Sequence, residues 1–109
     1  MSQHVLRVAD QLLLIERELR LQGFWQELPP SEQALASQSP FCVDTMDFDQ
    51  WLQWVMLPRM KVLLEGGHPL PRTSGIKEMA EWVYRDRLNS VQALIMLLGE
   101  FDQLLMTAE

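Results

Sequence analysis

Apolar side chains recur at Val5, Val8, Ala9, Leu12, Ile15 and Leu19, the spacing that lays one stripe along an α-helix. Ser2 is placed to cap such a helix and Gly23 to end it in a left-handed turn, which predicts a first helix over residues 2–22. Phe24 and Trp25 follow at once and are expected to fold back onto the helix end. Pro29, Pro30 and Pro40 mark residues 26–40 as a linker, inside which Ser31 caps a short helix beginning at Glu32. Asp47 can cap a third helix through Phe48, Trp51, Leu52, Val55 and Val62 to Glu65, closed by Gly66 and Gly67. His68-Pro69-Leu70-Pro71 reads as an extended spacer. A fourth helix opens near Ser74 or Gly75 and runs to about Arg85. A fifth, capped by Asn89 or Ser90, runs to about Met106. The pattern leaves open whether these last two are separate or one bent helix. No run shows the β-branched alternation of a strand. The chain reads as one all-α domain over residues 1–109, a compact bundle of four or five helices with a proline-kinked central helix.

The kink belongs to Pro58. A proline inside a helix lacks the N–H for the carbonyl of Trp54 and crowds it, at a cost of about 3 kcal/mol in a straight helix. Leu57 is a poor cap for a new helix, so a continuous, bent helix is the better reading. Either the curvature wraps a core or the freed carbonyl serves a ligand or partner.

At about 100° per residue, Phe48, Trp51, Leu52 and Val55 define one face of the central helix. Trp54 lies about 60° from Trp51, and Leu57 falls nearly opposite the face centre. Leu14 and Leu21 sit off the stripe of the first helix, as Leu97 and Leu104 do on the fifth. This surplus predicts an apolar patch of Trp54, Leu57, Leu14 and Leu21, helped by Leu97 or Leu104, as a partner site or homodimer seam. The alternative is that the linker, with Trp25 and Phe41, folds over the central helix as a lid.

Three charges occupy apolar stripes: Glu16 on the first helix, Arg59 on the third and Asp102 on the fifth. A charge carried into a core must be paired, so one ionic cluster of Glu16, Arg59 and Asp102 is the simplest arrangement. It either fixes helix register or lines a polar ligand pocket.

The segment from Pro40 to Val55, followed by Pro58-Arg59-Met60, resembles the YqcC-like family of small bacterial proteins. So do Glu16 to Arg20 with Gly23 and Trp25, Met79-Ala80-Glu81 after Ile76, and Phe101 to Leu105. Lys77 and Glu78 stand where the family pattern has a proline. The resemblance implies an all-helical domain without an established activity. It also implies a link to tRNA modification, because members are often encoded beside a pseudouridine synthase.

Composition changes this picture little. The net charge of −6 is spread without a basic stripe, so direct binding of nucleic acid is not expected. One cysteine, Cys42, forms no internal disulfide and has no basic neighbour in sequence; it reads as a buried structural thiol. No segment approaches membrane-spanning length, and the reading is a cytoplasmic protein. His4 and His68 lack a second ligand at metal spacing, and Asp44, Asp47 and Asp49 lack the glycine and terminal glutamate of a calcium loop. The expectation is therefore no metal, no cofactor and no enzyme. In its place stands a protein that binds a partner or itself through the apolar patch. The alternatives are an auxiliary factor in tRNA modification or a small-ligand binder around Arg59.

Overall fold

The computed structural model describes residues 3–107 as five α-helices joined by turns and short 3-10 segments, with no strand among them. Helix α1 covers Gln3–Leu21 and α2 covers Glu32–Leu35. The long central helix α3 spans 48–65, and α4 and α5 cover Ile76–Val83 and Gln92–Met106. The last two are separate helices, divided by a turn in which Leu88–Val91 is 3-10.

Local chemistry sets most of the boundaries. Helix α1 stops because Gly23 takes a φ of +77°, which lets Phe24 N–H reach the carbonyl of Leu19 at 2.9 Å and Gly23 N–H that of Arg20 at 3.1 Å. The end of α3 repeats the device: Gly67 has φ +66°, and His68 N–H bonds the carbonyl of Leu63 at 2.9 Å. Ser31 caps α2 by accepting from Ala34 N–H at 3.1 Å. Asp47 opens α3 in an extended conformation, and the Gln50 side chain returns to accept from Asp47 N–H at 2.8 Å.

The centre of α3 departs from α geometry. Leu52–Met56 form a π turn, in which Leu57 N–H donates to the carbonyl of Leu52, five residues back. The helix thereby continues through Pro58, widening the turn before it. A π turn takes about one residue more than an α turn, so the side chains beyond it are rotated back by up to about 100°. Leu57, expected at an exposed rim, is therefore core at 1% exposure, whereas Val62 is turned out to 64%. Arg59, expected to face inward, is exposed.

The core lies between α1, α3, α4 and α5, with α1 running along α5 as the most extensive pairing. Leu12, Ile15 and Leu19 meet Leu52, Met56, Leu57, Leu94, Leu98 and Phe101, each at most 2% exposed. Two buried amides tie helices together. Gln11 Nε2 donates to the carbonyl of Leu97 at 2.8 Å, joining α1 to α5. Gln53 accepts from Gln26 N–H at 2.9 Å and donates to Gln26 O at 2.7 Å, pinning the start of the linker to α3.

Candidate functional site

The three charges of the expected ionic cluster go to three different places. Glu16 accepts from Arg20 one turn on at 3.1 Å and from Lys61 of α3 at 3.5 Å, all near the surface. Asp102 accepts from the Ser74 hydroxyl and from Lys77 N–H, the latter at 2.9 Å, and so caps the opening of α4. Arg59 has no ion pair among the described residues. The cluster does not form because the π turn moves Arg59 off the inward face, and Lys61 is the α3 cation that meets Glu16.

The three aspartates of the 44–49 segment are likewise dispersed. Asp44 accepts from the Ser37 hydroxyl at 2.5 Å, Asp47 stands at the helix start, and Asp49 accepts from the Tyr84 hydroxyl at 3.0 Å. Burial holds the Asp49 carboxyl above its ordinary 3.8, opposed by the hydrogen bond from Tyr84 and reinforced by the charge of Asp47. Burial and the Asp49 charge push the Tyr84 phenol up in turn. No group of three His, Cys, Asp or Glu among the described residues is arranged to hold a metal ion. Cys42 is buried and His68 lies in an exposed loop.

The expected apolar patch divides. Around the aromatic part of α3 the linker folds over as a lid. Phe41 meets Trp51 edge-on at 4.8 Å, Trp51 stacks on Phe48 at 5.9 Å, and Phe24 stacks on Tyr84 at 5.9 Å. Trp25 carries the Arg20 guanidinium 4.3 Å above its ring. Trp54 is half-buried, with no partner for its indole N–H among the described residues. Leu14 and Leu21, on the other hand, stay exposed at 40% and 68%. With Met96 and Leu97 they line a groove of about 310 Å³ between α1 and α5, rimmed by Arg17, Glu18 and Glu100. Leu104 is half-buried against the core.

A second depression, of about 400 Å³, lies where the 35–42 segment meets α3 and the start of α4. Phe41, Trp51, Val55, Met60 and Ile76 give its apolar walls, and Arg59, Ser37, Ser39 and Ser74 its polar groups. Phe41 and Cys42 hold left-handed backbone, with φ of 58° and 50°, which non-glycine residues seldom adopt.

Sequence reasoning missed Gln11, Gln53 and Tyr84. Gln11 falls three residues after Val8 and four before Ile15, so its place on the apolar stripe was a readable signal. Gln53 carries none, because its partner is backbone of a distant linker.

No helix among the described residues is long and apolar enough to cross a membrane. Residues 7–104 match the model of the DUF446 family, described as tRNA pseudouridine synthase C. An uncharacterised protein of Haemophilus influenzae is 38% identical over 95 residues, covering 87% of this chain and 86% of the relative. A Pectobacterium carotovorum protein named tRNA pseudouridine synthase C is 51% identical over 67 residues, which is 62% of this chain and 18% of that longer protein. The solution NMR structure of Escherichia coli YqcC superposes with a TM-score of 0.88 at 30% identity, covering 99% of this chain and 92% of YqcC. A family match along most of the sequence and the shared YqcC fold make this chain a member of the YqcC-like DUF446 family.

Proposed function

We propose that the chain is a non-catalytic helical domain that docks onto a tRNA pseudouridine synthase through the groove between α1 and α5. The observation that carries the reading is the Pectobacterium relative. A segment half identical to this chain occupies 18% of a longer polypeptide named as such a synthase, so both lie in one molecule there. Domains in one chain meet at effective concentrations of about millimolar, and even a modest interface then holds them together. A domain on a separate chain needs a better one, typically about 1,200–2,000 Å² in total with an apolar centre.

Leu14, Leu21, Met96 and Leu97 supply such a centre, and Arg17, Glu18 and Glu100 a charged rim. The net charge of −6 favours a protein surface over the tRNA itself. An acidic domain also meets a partner faster where that partner's docking face is cationic. Titration calorimetry of the purified chain against the synthase from the same organism tests the reading. Binding that Leu21→Glu with Met96→Glu weakens at least tenfold supports it. No heat of binding at synthase concentrations up to 100 μM, roughly the range of weak specific complexes, overturns it. Self-association that the same two substitutions abolish, with no synthase binding, identifies the groove as a homodimer seam instead.

A further inference from the structure

We infer that the cleft beside Arg59 is a binding site for a small carboxylate with a compact apolar body, a role separate from docking at the α1–α5 groove. Three local departures from regular structure converge on it. The π turn Leu52–Met56 contributes Val55 and Met56, the left-handed pair contributes Phe41 and Cys42, and the rotation beyond the π turn delivers Arg59. Left-handed non-glycine residues cost about 1–3 kcal/mol each, and such strain and π turns both concentrate at functional sites.

The chemistry of the walls selects the ligand. Arg59 is the one basic residue lining the cleft, and it has no acidic partner among the described residues. The Ser39 hydroxyl, which lines the same cleft, is likewise without a hydrogen bond among the described residues, although Ser39 N–H donates to Ser37 and its carbonyl accepts from Cys42 N–H. A guanidinium fork and a free hydroxyl suit one planar carboxylate. Phosphate fits less well, because two carboxylates lie one hydrogen bond behind the cleft wall: Asp44 accepts from the lining Ser37 and Asp102 from the lining Ser74. Their field tolerates one negative charge far better than two. A flat nucleobase is also disfavoured. Phe48 stacks on Trp51 and Phe41 meets it edge-on, so the rings are used within the protein and offer no open stacking platform. What is left is an apolar recess lined by Met56 and Met60, adaptable side chains that close around a branched or single-ring body. A volume of about 400 Å³ is at the small end for ligand sites.

Such a ligand has two sources, a free carboxylic acid or the C-terminal residue of a polypeptide. The test is a titration of the isotopically labelled full chain by NMR with N-acetyl-leucine, N-acetyl-leucinamide and the peptide Gly-Gly-Ser-Leu with a free carboxylate. The expected result is that the acid shifts the resonances of Ser39, Val55 and Arg59, and that the amide binds at least about tenfold more weakly. Arg59→Gln is exposed and unpaired, so it folds, and it should bind acid and amide alike. Val55→Phe, which fills the recess, should bind neither. Tighter binding of the tetrapeptide than of N-acetyl-leucine points to a polypeptide terminus, and equal binding to a free acid. Equal affinity of wild type for acid and amide, unchanged discrimination in Arg59→Gln, or shifts confined to other surfaces overturns the site. None of these outcomes depends on the synthase.

Discussion

Helices α1 and α3 are of similar length and both cross the core, yet they present themselves differently. In α1 the buried row of Val8, Gln11, Leu12, Ile15 and Leu19 keeps one stripe from end to end. In α3 the row begins with Phe48 and Leu52, passes through the π turn, and resumes with Met56, Leu57 and Met60. A regular helix shows its neighbours one face. A helix with one added residue in a turn shows two, and α3 uses the second to set Arg59 at the mouth of a cleft while keeping Leu57 inside. A phase break is therefore a means of placing a charge at the surface of a helix whose continuous stripe would bury it.

Deletions break the comparison most severely. Removing the exposed Leu13 from α1 rotates every later residue by about 100° relative to the row before it. The cooperative thermal transition should disappear. Removing Val55 within the π turn, together with Pro58→Ala, converts that turn to α geometry and leaves the downstream side chains where they were. This variant should stay folded and lose no more than about 3 kcal/mol in urea unfolding. Unfolding of both variants would mean that the π turn is not absorbing a residue.

Charge substitutions sharpen the same point at single positions. Leu57→Glu puts a carboxylate at a site 1% exposed and should cost about 4 kcal/mol or more. Val62→Glu, at 64% exposure, and Arg59→Ala should change stability by no more than about 0.5 kcal/mol. An uninterrupted wheel predicts the reverse order, so the urea midpoints discriminate between the two. Gln53→Ala comes next. It strands the N–H and carbonyl of Gln26 and should cost about 1–3 kcal/mol, with faster amide exchange at Gln26.

The smallest effect concerns Asp49. Its folded-state pKa lies above the ordinary 3.8, so the folded chain holds that proton more tightly than the unfolded one. The resulting stability is full below pH 3.8 and is lost as pH rises through the folded value, which leaves the ionised carboxylate a net burden at neutrality. Asp49→Asn keeps an acceptor for the Tyr84 hydroxyl without the charge. Its melting temperature relative to wild type should rise from pH 3 to pH 7, with a gain at neutrality under about 1 kcal/mol. A constant difference across that range would assign the shift elsewhere.

Most helix positions were legible because their signals are local. Ser31, Asp47, Gly23 and Gly67 act within a turn of themselves, and the stripe of α1 is a property of spacing alone. Pro58 announced a disturbance in α3 but not its form, since a kink and a π turn satisfy the same missing N–H. Three misplaced side chains of α3 follow from that one ambiguity: Leu57 went in, Val62 went out, and Arg59 parted from Glu16 and Asp102. The fold of the linker over α3 was legible only as one of two alternatives, for a different reason. Its position rests on the bonds of Gln53 to the backbone of Gln26 and on ring contacts of Phe24 and Phe41, partners chosen by tertiary structure.

The pairing of α1 with α5 has a consequence for synthesis. The Gln11–Leu97 bond joins residues 86 positions apart, so α1 is synthesised well before α5, its main partner. At about 5–20 residues per second, that interval is roughly 4 to 17 seconds. Throughout it the stripe of Val8, Leu12, Ile15 and Leu19 lacks the α5 side chains that complete its burial, so its apolar surface stays open until α5 is made.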